Sequence, residues 1–93
     1  MRRNARIDSN QEQIASALEK CGAKVDRKLA RLGEGRPDLL VWYAHHWTVL
    51  EIKMPGEKLT EAEAKWHKIF DGARIVHTVE EAFQAVGINL RKP

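Results

Sequence analysis

The sequence predicts an α/β domain, a mixed β-sheet flanked by helices with its elements in the order αβββαβα. Three observations predict it. Ser9 with Glu12, Thr60 with Glu63, and Thr78 with Glu81 form three capping-box patterns, each followed by apolar residues at helical spacing. The runs from Asp38 to Tyr43 and from Trp47 to Lys53 are rich in apolar, β-branched and aromatic residues, and so few residues part them that the chain must turn straight back. A further apolar run from Ala73 to His77 lies between the second and third helical patterns.

Taken in order, the first helix is expected from about Asn10 to Cys21, with Ile14, Leu18 and Cys21 on one face and Gly22 as a left-handed stop. Ala23 to about Leu29 reads as a strand. The loop through Gly33 and Gly35 then delivers Arg36-Pro37 to the second strand, Asp38 to Tyr43, with proline at its start, where a missing donor does least harm. The third strand, Trp47 to Lys53, is stopped by Met54-Pro55-Gly56. Leu59, Ala62, Trp66, Ile69 and Phe70 give the second helix an apolar stripe before Gly72. Ala73 to His77 is expected as a short buried strand, and Val79, Ala82, Phe83 and Val86 line a third helix ended by Gly87.

The 93 residues make a single domain, with a basic arm at 1–8 and a tail at 88–93. A chain of this length buries only about 60 to 65% of its unfolded surface, so the core is thin. With 43% hydrophobic and 31% charged residues, the composition is that of a globular protein and not of a disordered or collagenous chain. No apolar run approaches the roughly 18 residues of a membrane span, and the first six residues lack the apolar stretch of a signal peptide, so a cytoplasmic protein is expected. One cysteine, Cys21, excludes an internal disulfide and a cysteine-built zinc cluster, and reads as a small apolar residue. The net charge of +3 identifies no partner, but between Lys20 and Arg36 six basic residues face two acidic ones. That stretch is either a solvated face or a surface for a polyanion.

Chemistry enters through the hairpin. With Ala44-His45 as its turn, Tyr43 faces His46, Trp42 faces Trp47, Leu40 faces Val49, and Asp38 faces Glu51. Opposed β-carbons sit roughly 4.5 to 5.5 Å apart, so two carboxylates converge on one face of the sheet. Strand periodicity puts Lys53 on the same face, with Ile52 turned to the core beside Leu39, Leu50 and Val41. Two opposed carboxylates either share a proton or hold a cation, and hard oxygen ligands suit Mg²⁺ or Mn²⁺. The alternative for these residues is a surface trio in which Asp38 is solvated and Glu51 pairs with Lys53.

Gly35-Arg36-Pro37-Asp38-Leu39-Leu40-Val41, followed by Glu51-Ile52-Lys53 and by Leu59-Thr60 leading to Trp66, resembles the PD-(D/E)XK nuclease superfamily. Within it the chain is most similar to the small VRR-NUC (virus-type replication-repair nuclease) group of stand-alone phage and prophage proteins, over nearly its whole length. The resemblance implies a restriction-endonuclease-like mixed sheet, divalent-metal-dependent cleavage of DNA in the bacterial host, and homodimers selective for branched DNA such as Holliday junctions. It makes Asp38 and Glu51 metal ligands, the Ile52 backbone carbonyl a third ligand, and Lys53 the residue that positions or activates the attacking water. Relatives usually carry an acid just before the isoleucine of the first helix, where this chain has Gln13. Glu12 is the nearest substitute, about 100° away around the helix.

Glu63 stands where relatives commonly have glutamine, and a capping box with Thr60 explains it without a role in the site. His67 is expected exposed on its helix, and His45 and His46 as part of a polar turn. Arg27, Lys28, Arg31 and Arg36 are candidate phosphate contacts, with Arg36 next to the site. Trp42, Tyr43 and Trp47 are expected to cluster at the far end of the hairpin, as core or as a dimer interface. The function expected is a metal-dependent DNA endonuclease. The alternatives are a nuclease-like module that binds DNA without cutting it, or a subunit needing a host partner.

Overall fold

The computed structural model of the protein describes residues 5–89, with side chains from Asn10 onward. Arg2 and Arg3 of the expected basic arm and residues 90–93 of the expected tail lie outside that range. Helix α1 (Ala5–Lys20) starts earlier than expected, so residues 5–8 belong to it and Ser9 sits inside it instead of capping it. No glycine or proline interrupts Ala5 to Asp8, and a serine within a helix costs only a few tenths of a kcal/mol.

Strand β1 (Lys24–Asp26) is shorter than expected because the Asp26 carboxylate accepts the Lys28 N–H at 2.7 Å, turning the chain into a 3₁₀ turn at Leu29–Leu32. Strands β2 (Leu39–Tyr43) and β3 (His46–Ile52) form the hairpin in the expected register, Leu40 against Val49 and Tyr43 against His46. Its turn places Ala44 at φ +52° and His45 at φ +68°, the region that asparagine and glycine occupy with least strain. Ala44→Asn and His45→Gly are therefore each expected to stabilise the protein by about 1 kcal/mol, read as a higher urea midpoint at unchanged slope. His46 lies in β3, where its Nε2 meets the Val86 carbonyl at 3.1 Å.

The sheet order is β1-β2-β3-β4, antiparallel except for β3 with β4 (Arg74–Val76), which run parallel. One face carries Leu39, Val41, Leu50, Ile52 and Val76 against Ile14, Ala15 and Leu18 of α1 and Ala82 and Val86 of α3 (Val79–Val86). Burial of each large side chain there contributes about 1.5 to 3 kcal/mol. β4 is an edge strand with only Val76 buried, which corrects the expectation of a buried Ala73–His77. Thr78 caps α3 by accepting the Glu81 N–H, whereas the Glu81 carboxylate reaches past Thr78 to the His77 amide at 2.7 Å.

Helix α2 (Glu61–Ile69) has the complete capping box of Thr60 and Glu63. Its expected apolar stripe is not buried: Ile69 is 72% exposed, Phe70 lies against Trp66 with ring centroids 4.4 Å apart, and no α2 side chain is fully covered. The reason is geometric, since α1 and α3 fill the apolar face and α2 meets the polar end of the other one. Strand alternation also divides the three hairpin aromatics. Tyr43 packs against the core, while Trp42 and Trp47 pair on the opposite face at 4.8 Å, with Trp47 62% exposed. Among the described residues no helix is long and apolar enough to cross a membrane.

Candidate active site

Pro37, fully buried, brings Asp38 to the mouth of the hairpin, where the paired ladder ends at Leu39 and Leu50. The Asp38 amide donates to the Leu50 carbonyl at 3.1 Å, and its Oδ2 accepts the Ile52 N–H at 2.8 Å. One side-chain oxygen of Asp38 is thereby fixed by the backbone of the very strand that carries Glu51. Glu51 is only 2% exposed, and its carboxyl lies within hydrogen-bond reach of that of Asp38. Burial raises the pKa of both groups. For Glu51 the nearby Asp38 and Glu63 add to it, pushing the group up to about 9. Without a cation the pair holds a proton that neither carboxyl would keep in water.

Lys53 follows directly. Its Nζ meets Glu63 Oε1 at 2.7 Å and Glu57 Oε2 at 3.6 Å, and its carbonyl accepts from His77 Nδ1 at 2.7 Å. Burial opposes its charge, but the carboxylates around it outweigh that and raise its pKa, so it is an ammonium. Glu63 thus caps α2 and pairs with Lys53 through the same oxygen. His67, expected to be exposed, is largely covered, and its Nε2 lies 3.3 Å from Glu51 Oε1. Glu63 and His67 are four residues apart on one helix face and reach Lys53 and Glu51, two apart on one strand face. Helical period marks the first pair and strand period the second. The sequence carried no sign that the faces meet.

Several expected residues lie elsewhere. Glu12 does not join the carboxylates: it accepts from Ser16 Oγ and from Arg27, whose guanidinium also binds Glu19 at 2.6 Å. Arg27 therefore ties α1 to the end of β1, and its hydrogen bonds to Glu19 and Glu12 raise its already high pKa. Arg36 directs Nη1 to the Gly33 carbonyl at 3.1 Å and stays near Glu34 at 3.6 Å. Lys28 and Arg31 are exposed, and Cys21 packs partly buried against the core.

No group of three or more His, Cys, Asp or Glu side chains among the described residues is arranged to hold a metal ion. The donor chemistry of Asp38 and Glu51 nevertheless fits a hard divalent cation, because the carboxyls of half-buried Asp38 and buried Glu51 converge while the nearby Lys53 ammonium is held by Glu63. Such an ion binds through one or two carboxylates and keeps several waters, so it needs no all-protein cage. In comparisons with known proteins, residues 4–82 match the VRR-NUC domain. No curated protein and no solved structure matches significantly.

Proposed function

The chain belongs to the VRR-NUC domain family, nucleases of the PD-(D/E)XK type, and on that premise we propose that it is an Mg²⁺- or Mn²⁺-dependent endodeoxyribonuclease acting on branched DNA. The observation that carries this reading is the convergence of half-buried Asp38 and buried Glu51, a pair whose repulsion a proton or a cation relieves. Asp38, Glu51 and the Ile52 carbonyl would hold the ion. When bound, it supplies the positive charge that polarises a phosphodiester and lowers the pKa of a coordinated water. Lys53, charged and fixed in place by Glu63, holds an ammonium beside the carboxylates, where it orients the attacking water and steadies charge developing on the phosphate. Lys28 and Arg31 present exposed charge to the DNA backbone, and Arg36 keeps a half-exposed guanidinium next to the site. In this reading the enzyme works in the cytoplasm of a bacterium that carries the phage or prophage.

Purified protein with Mn²⁺ or Mg²⁺, offered plasmid, flap and four-way-junction DNA, is expected to nick DNA only with metal, and most readily at junctions. Lys53→Ala should lower the rate by about a thousandfold, roughly 4 kcal/mol, while Mn²⁺ binding persists. No cleavage under any of these conditions would remove the enzymatic reading. It would favour a module that binds DNA without cutting or a subunit needing a host partner, the reading that the engagement of Glu12 by Arg27, away from the carboxylates, supports.

The same reading includes a symmetric homodimer, which would present two sites to the two like strands of a junction. Its supports are the exposed Trp47 and the groove of about 410 Å³ lined by Lys24, Val25, Asp26, Leu40, Trp42 and Trp47. Light scattering at micromolar concentration should give a dimer mass, and Trp42→Lys should give a monomer that retains Mn²⁺ binding. A monomeric wild-type protein, or a dimeric Trp42→Lys, would place the interface elsewhere or remove it.

A further inference from the structure

We propose that His67 is a positioning residue for Glu51, holding its carboxylate from α2 in the rotation that lets it share a divalent cation with Asp38. The inference rests on the two-carboxylate site proposed above and adds a residue to it. Asp38 needs no such help, because the Ile52 N–H fixes its Oδ2 at 2.8 Å. Glu51 is longer by one rotatable bond, and the hydrogen-bond donor it meets among the described residues is His67, whose Nε2 lies 3.3 Å from Oε1. Once Glu51 shares a cation it is ionised and only accepts, so in that state Nε2 carries the hydrogen. Lys53 is no substitute, since its ammonium is held at 2.7 Å by Glu63.

The His67 side chain is 12% exposed and that of Glu51 2%, so water competes weakly for this bond. The bond leaves Oε2 as the Glu51 oxygen that His67 does not engage. Without the ring, the carboxylate loses the donor that fixes its rotation, and a freely rotating carboxylate is a poorer ligand. A ligating imidazole is a different arrangement, and no three-residue metal cluster containing His67 is present among the described residues. His67 is accordingly largely covered, whereas its neighbours Lys68 and Ile69 are exposed.

The test is Mn²⁺ binding to the full chain, measured by calorimetry and by the Mn²⁺ paramagnetic resonance signal, with folding verified by circular dichroism. His67→Gln places an amide donor near the position of Nε2. His67→Leu fills the volume without a donor, and His67→Asn carries its amide too short to reach Oε1. The expected result is a 10- to 100-fold weaker Mn²⁺ affinity for His67→Leu, with His67→Gln within about threefold of wild type. Should His67→Leu fail to fold, His67→Asn carries the same expectation. Wild-type affinity in the donorless variants, with binding lost in Glu51→Gln, would overturn the role of His67 and leave the two-carboxylate site standing. A His67→Gln protein as weak as His67→Leu would also overturn it, since the donor would then not be what matters. Unchanged Mn²⁺ binding in Glu51→Gln would overturn the site itself, and this inference with it.

Discussion

Glu51→Gln is expected to abolish metal-dependent cleavage and at the same time to raise the thermal midpoint of the metal-free protein. The loss follows from removing one of the two anionic ligands proposed above, and about a thousandfold, roughly 4 kcal/mol, is a modest figure for it. The gain follows from the cost of the carboxylate to the fold. In the folded chain Glu51 is pushed from its usual 4.5 up to about 9, chiefly by burial and then by Asp38. Between those values the folded state binds a proton that the unfolded state has released, so stability falls as pH rises through that window. Moving a pKa by one corresponds to about 1.4 kcal/mol, and even a fraction of the rise at Glu51, after relaxation, amounts to a few kcal/mol. A neutral glutamine removes the penalty.

Thermal melts in chelator should therefore show the wild-type midpoint declining from about pH 5 to about pH 9, and a flatter profile for Glu51→Gln. The variant should lie at least about 5 °C higher at about pH 8, since 1 kcal/mol moves the midpoint of a domain this size by about 4 to 8 °C. Mn²⁺ at about a hundred times its dissociation constant should restore about 2.7 kcal/mol to the wild type and nothing to the variant. Parallel pH profiles for the two proteins would mean that Glu51 is not strained by its surroundings and that the pair has no energetic need of a cation.

The hairpin was legible because its constraint is arithmetical. Once Ala44-His45 is the turn, opposed numbers sum to a constant, and Leu40 against Val49 and Trp42 against Trp47 follow in the structure. The same arithmetic brought Asp38 to Glu51, and strand alternation placed Ile52 in the core. Helix α3 was legible from its period and from Gly87, whose φ of +96° ends it. Tertiary competition was not legible. The stripe of α2 has the period of a core helix, but α1 and α3 already occupy the apolar face, so Ile69 and Phe70 stay exposed. Glu12 was a candidate ligand by proximity in the chain, and the guanidinium that claims it comes from Arg27 at the end of a different element. The role of His67 was hidden for the same reason, because its partner lies across a helix and sheet interface that no local pattern announces.

Gly35→Ala is expected to be the most damaging small substitution in the chain, for a reason that joins the fold to the site. Gly35 sits at φ +81°, which a β-carbon makes costly by about 1 to 2 kcal/mol. The larger effect is steric. A β-carbon there would fall on the Ala62 carbonyl and lie 2.7 Å from the Glu63 amide nitrogen, both backbone atoms of the first part of α2 that cannot swing aside. The loop that delivers Asp38 is thus packed directly against the helix that delivers Glu63 and His67. Relief requires α2 to move as a body, and that movement takes Glu63 from Lys53 and His67 from Glu51. A total destabilisation of about 3 to 4 kcal/mol is expected, a large share of the roughly 5 to 15 kcal/mol that holds a domain together. Gly56 provides the internal control: its φ is +84°, but nothing lies within 4 Å of an added β-carbon, so Gly56→Ala carries the conformational cost alone. Urea unfolding of the two variants should differ by about 2 kcal/mol, and Gly35→Ala that remains folded should also bind Mn²⁺ more weakly, which Gly56→Ala should not. Equal destabilisation by the two, with equal Mn²⁺ affinity, would show that the loop and α2 are not packed as described and that the site does not depend on their contact.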